Sequence, residues 1–111
     1  MISRVFVTAM SLALASGVAL AAQDANQVEA GKKLYETYNC KKCHSIGGVG
    51  SKVSPLDGVA TKLTAPDIHT WLVSPDEMTA KLKKKPKVKM KKQDYKPGEV
   101  DAVMAYLATL K

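Results

Sequence analysis

The chain has 111 residues, two cysteines, two histidines and a formal charge of +7, from 17 basic against 10 acidic side chains. That length allows one small domain and not two, with a thin apolar core of its own. So large a positive excess invites a nucleic-acid partner, but no helix-turn-helix pattern and no aromatic-interleaved basic motif supports one, and nucleic acid is not expected.

After Arg4 the sequence runs without charge from Val5 to Gln23. One positive charge, an apolar stretch and the triplet Ala19-Leu20-Ala21 make the three regions of a secretory signal, with cleavage after Ala21. The apolar run approaches bilayer-spanning length. Its many Ala, Ser, Thr and Gly residues and its small-residue site favour removal over membrane anchoring. The expected organisation is a signal over 1–21 and one exported, for example periplasmic, domain over 22–111. Without Arg4 that domain carries sixteen lysines and ten acids, a formal +6.

Residues 26–38 are predicted to form the first helix, because Val28, Gly31, Leu34, Tyr35 and Tyr38 recur on one helical face. Glycine there is costly to a helix unless something must come close.

Cys40-Lys41-Lys42-Cys43-His44 follows. Two cysteines with two residues between them can reach both vinyl groups on one edge of a haem and form thioethers, which brings His44 beneath the iron as a ligand. A thiol-disulfide pair would want alternating strands and helices, and no convincing strand run is present. Zinc would need four ligands, and with His69 as the remaining histidine the set would have to use the adjacent Cys43 and His44. A simple disulfide beside a surface histidine is the third alternative. Haem attachment fits the motif and the residue inventory best.

From Ser45 to Leu63, Gly47, Gly48, Gly50, Pro55 and Gly58 predict a loop without regular structure that can wrap a haem edge. Thr64-Ala65-Pro66-Asp67 reads as a capping box opening a short helix through Trp71 to Val73, and Ser74-Pro75-Asp76-Glu77 reads as a second one. Trp71 has two readings of equal weight: contact with haem, including donation from its ring nitrogen to a propionate, or core packing.

Lys81 to Lys92 holds eight lysines in twelve residues and no acid, with Leu82, Val88 and Met90 interspersed. Met90 is the candidate second axial ligand. Met1 and Met10 leave with the signal, Met104 lies on a helix packing face, and Met78 sits in a helical first turn, whereas Met90 is in a loop free to bend over a ring. A thioether opposite histidine stabilises ferrous iron. His69 is the rival ligand. The last helix is predicted over Pro97 to Leu110, with Val100, Val103, Met104, Leu107 and Leu110 on one side. It is expected to cross the first helix at Gly31, where Tyr106 and Leu107 would approach the glycine backbone beside Tyr35.

Taken together, Ala30-Gly31-Lys32-Lys33-Leu34-Tyr35, Cys40 to His44, Ser54 to Val59, Trp71-Leu72 with Pro75, Met90, and Val103-Met104-Ala105-Tyr106-Leu107 resemble the ordered landmarks of class I c-type cytochromes. The resemblance implies a small all-α cytochrome c fold, its terminal helices crossing beside one covalent haem c. It implies thioethers at Cys40 and Cys43, iron ligands His44 and Met90, and a Pro55 carbonyl accepting the other ring N–H of His44. Lys91 follows Met90 where the family often carries proline. The implied role is one-electron carriage rather than catalysis, with lysines 81–92 meeting acidic redox partners. A haem subunit of a dehydrogenase or oxidase complex is a second reading, and a gas- or peroxide-reactive haem protein with a weak methionine ligand is a third. The protein is expected to be a monomer or a subunit of such a complex.

Overall fold

The computed structural model describes residues 16–111, with side chains from residue 25 onward. The predicted signal over 1–21, with Arg4, Met1 and Met10, falls largely outside those residues. Helix α1 runs Ser16–Thr37. Its buried positions Gly31 and Tyr35 stand four apart, flanked by half-buried Val28 and Leu34, while Glu29, Lys32, Lys33 and Glu36 face water. This is the face expected from the 3.6-residue period. The helix stops because Asn39 turns left-handed at φ 53°, a conformation that asparagine tolerates better than most residues.

A single 3-10 turn, Cys40–Lys42, leads into three short strands: β1 His44–Ile46, β2 Val49–Gly50 and β3 Ser54–Pro55. β1 is central, antiparallel to β2 and parallel to β3. The region read as irregular from its glycines therefore contains a small sheet. Gly47 and Gly48 adopt φ 58° and 80°, and two successive positive φ values are what a two-residue hairpin turn requires. The glycines that argued against regular structure are the ones that close it.

Four further helices follow: α2 Val59–Lys62, α3 Ala65–Val73, α4 Pro75–Lys81 and α5 Glu99–Leu107. The Thr64 side chain accepts from Asp67 N–H at 3.3 Å, as the capping reading expects. Ser74 does not repeat the device. It ends α3 and begins α4 at once, at φ −143° and ψ 61°, and its side chain makes no cap bond. Helix α5 starts later than predicted, because Gly98 at φ 84° caps it and leaves Pro97 outside. Among the described residues no helix is long and apolar enough to cross a membrane.

The core is a cluster of Ile68 and Leu72 from α3 with Val103 and Leu107 from α5. Beside it α1 crosses α5 at Gly31. A Cβ built there would lie 2.0 Å from the Ala102 carbonyl oxygen and 2.8 Å from Tyr106 Cβ. Tyr35 meets Tyr106 edge-on, with ring centroids 5.9 Å apart. The residues nearest the glycine are thus Ala102 and Tyr106, and Leu107 turns instead into the core cluster.

The ends of α1 and α5 are also tied by a polar clasp. Tyr38 packs edge-on against Tyr95, and its hydroxyl donates to Glu99 Oε1, which also accepts from Lys96 N–H at 2.7 Å. The bond from Tyr38 holds the Glu99 carboxyl below its ordinary range, and the same bond pushes the Tyr38 hydroxyl up. The ionised glutamate is thus bound more tightly in the fold than in the open chain. Its contribution is full above the ordinary glutamate range and is lost as pH falls through the lowered value. Guanidinium midpoints measured down an acid series should fall less steeply in Glu99→Gln than in the unsubstituted protein. Parallel acid arms would show that the clasp contributes nothing.

Candidate functional site

The 3-10 turn sets the geometry of the cysteine motif. With three residues per turn, positions i and i+3 eclipse, so Cys40 and Cys43 lie on the same side. Both thiols are free, Cys40 half-buried and Cys43 exposed. Lys41 and Lys42 point to solvent, and Lys41 pairs with Glu36 at 3.3 Å. Burial pushes the Cys40 thiol up, the opposite of the depressed value that a thiol-exchange nucleophile requires. Among the described residues no group of three or more His, Cys, Asp or Glu side chains is placed to hold a metal ion, which removes support for the zinc alternative.

His44 opens β1, half-buried, with its Nδ1 2.9 Å from the carbonyl oxygen of Ser54. A carbonyl can only accept, so Nδ1 carries the hydrogen and donates. In the neutral ring Nε2 then keeps its lone pair, the form in which imidazole binds a metal. This corrects the expectation at Pro55. The parallel register pairs His44 with Ser54, and Ser45 with Pro55, so the acceptor is one residue earlier in the chain. Pro55 contributes through that register, while Ser45 O accepts from Leu56 N–H at 2.8 Å.

Gly50 is a site residue that the sequence did not single out. Its Cβ would lie 2.2 Å from the His44 carbonyl oxygen and 3.1 Å from Lys41, at a φ of 107°. The hairpin return strand is therefore pressed against the cysteine motif, and Ser51 N–H donates to Lys41 O at 2.9 Å. Asp57 was missed as well, and its Oδ1 accepts from Gly47 N–H at 2.7 Å to hold the hairpin turn. The signal for Gly50 was present, a glycine seven residues after Cys43, but it was indistinguishable from its loop neighbours.

Met90 is half-buried and packs against the Ile68, Leu72, Val103 and Leu107 cluster. Residues 81–89, Lys91 and Lys92 are all exposed. A chain of lysines thus turns one apolar side chain inward. His69, the rival ligand, lies exposed on α3 between buried Ile68 and Leu72. Trp71 is half-buried on α3, next to buried Leu72.

These donors suit a haem: two free thiols on one side of a turn, an imidazole with its Nδ1 fixed, and an inward thioether. A model of the cytochrome c family matches residues 28–111, from within α1 to the C-terminus. The chain belongs to the cytochrome c family. No curated protein and no solved structure gives a significant match. Membership makes it a haem-binding electron carrier with covalently bound haem c and its iron, and the mostly helical architecture agrees. The small sheet is an addition to the all-α expectation.

Proposed function

We propose that this cytochrome carries single electrons between exported redox partners, with one haem held by thioethers at Cys40 and Cys43 and ligated axially by His44 and Met90. When bound, the haem supplies a one-electron iron couple reached at its exposed edge. The observation that carries the reading is the inward thioether of Met90, the one side chain of residues 81–92 that is not exposed. His44 is oriented by the Ser54 carbonyl, which accepts from its Nδ1 and leaves Nε2 as the ligating nitrogen. With both axial positions filled by the chain there is no open site for a substrate, which favours carriage over catalysis. The uncharged stretch after Arg4 supports export, and the small-residue triplet Ala19-Leu20-Ala21 favours removal of that stretch over its retention as an anchor.

The optical spectrum of the purified protein tests this. The oxidised form should show the weak far-red band of sulfur bound to ferric iron, and Met90→Ala should abolish it and lower the potential by on the order of 0.2 V, within the roughly 0.8 V that axial ligands span. A band that survives Met90→Ala removes Met90 from the iron. The exposed lysines of residues 81–92 would steer an acidic partner, because like-signed charges massed on one segment raise the local potential. Reduction by such a partner should slow as ionic strength rises, and a rate indifferent to salt removes the docking role.

A further inference from the structure

The eight lysines of residues 81–92 are not equivalent. The Nζ of Lys85 lies 3.0 Å from Thr79 O, 2.7 Å from Ala80 O and 2.8 Å from Leu82 O. An ammonium has three N–H groups, and here each has a backbone carbonyl. Those carbonyls belong to the last turn of α4 and its C-cap Leu82, where carbonyls have acceptor capacity to spare and the dipole favours a cation; Thr79 O also accepts from Leu82 N–H. Lys85 therefore has no N–H left for a docking partner.

The consequence lies downstream. Residues 82–98 form no helix or strand. Among the described residues, the bonds from Lys85 are the hydrogen bonds that fasten the stretch between Leu82 and Gln93 to the fold, beside the packing of Met90 itself on the core cluster, and the next tie is Tyr38 Oη donating to Asp94 O at 3.2 Å. Met90 sits between these two anchors. We propose that Lys85 is a positioning residue that caps α4 and so holds the Met90 loop in its ligating conformation, rather than a member of the docking face. The proposal rests on Met90 being an iron ligand. Without Lys85 the segment free of hydrogen bonds to the fold lengthens from residues 86–93 to 83–93, since Leu82 N–H stays bonded to Thr79 O. Loop entropy alone would change the opening equilibrium less than about twofold. Loss of the charge-assisted bonds should dominate, at about tenfold.

Cyanide binds ferric haem once a weak ligand has left, so its rate reads loop opening. The far-red band is first recorded for the unsubstituted holoprotein, and its absence overturns the Met90 ligation and this proposal with it. With the band present, Lys85→Gln should bind cyanide about tenfold faster, and Lys84→Gln, with the same loss of charge on an exposed neighbour, should keep the original rate. In Lys85→Cys the introduced thiol is the one free thiol, because Cys40 and Cys43 are held in thioethers. Aminoethylation of it rebuilds a lysine-length ammonium and should restore slow binding. Equal rates in Lys85→Gln and Lys84→Gln, or no recovery on aminoethylation, overturn the proposal while leaving Met90 on the iron.

Discussion

Gly31→Ala should cost about 3 kcal/mol or more of holoprotein stability, seen as a lower guanidinium midpoint. Two effects oppose each other at this position. In a helix interior alanine is favoured over glycine by about 1 kcal/mol, so on local grounds the substitution should stabilise α1. The crossing reverses the sign. The new methyl would lie 2.0 Å from the Ala102 carbonyl oxygen and 2.7 Å from its carbon. These are backbone atoms inside α5, so no rotamer change relieves the clash and the two helices must move apart. Overpacking a fitted core typically costs about 1–3 kcal/mol and sometimes more, and here the displaced object is a helix that carries Val103 and Leu107 into the core cluster. An unchanged or raised midpoint would mean that α1 and α5 do not meet at this glycine.

That crossing was legible in the sequence because it leaves a contradiction there: a helix-disfavouring residue in the middle of a periodic apolar face. The cysteine motif was legible for a similar reason, since its spacing has few other uses. Other features failed to register because their signals are shared. Strands of two and three residues are too short for alternation to emerge, and the glycine pair that closes β1 and β2 looks like any flexible link. The hydrogen bond of His44 was placed one residue late because a backbone acceptor depends on strand register, which no side chain encodes. Pro97 was taken for a first-turn proline when Gly98, with its left-handed φ, was the cap. Lys85 was invisible for another reason: one lysine among eight carries no mark of being the one that folds back on a helix end.

Replacing both Cys40 and Cys43 with alanine should leave a chain that holds no haem covalently and is largely unfolded, with its far-UV helical signal lost. The reason is the smallness of the core. Among the described residues the buried apolar side chains are Tyr35, Ile68, Leu72, Pro75, Ala102, Val103 and Leu107. Around them stand Leu34, Leu56, Val59, Leu63, Met90, Val100 and Met104, each only partly covered. Short domains already bury a small share of their surface and commonly need a cofactor, metal or disulfide to be stable. Here neither cysteine is in a disulfide, which leaves the cofactor as the element that can cover those side chains. Lysine repulsion over residues 81–92 adds to the imbalance, since Lys81 with Glu77 at 3.6 Å is the one ion pair in that segment among the described residues, and it is exposed. Single replacements separate attachment from folding. Cys43→Ala leaves one thioether possible at the half-buried Cys40 and should retain helix with a weakened midpoint, whereas the double variant should show none of the cooperative transition. A double variant that melts cooperatively without haem would mean that these buried side chains and the α1–α5 crossing suffice on their own.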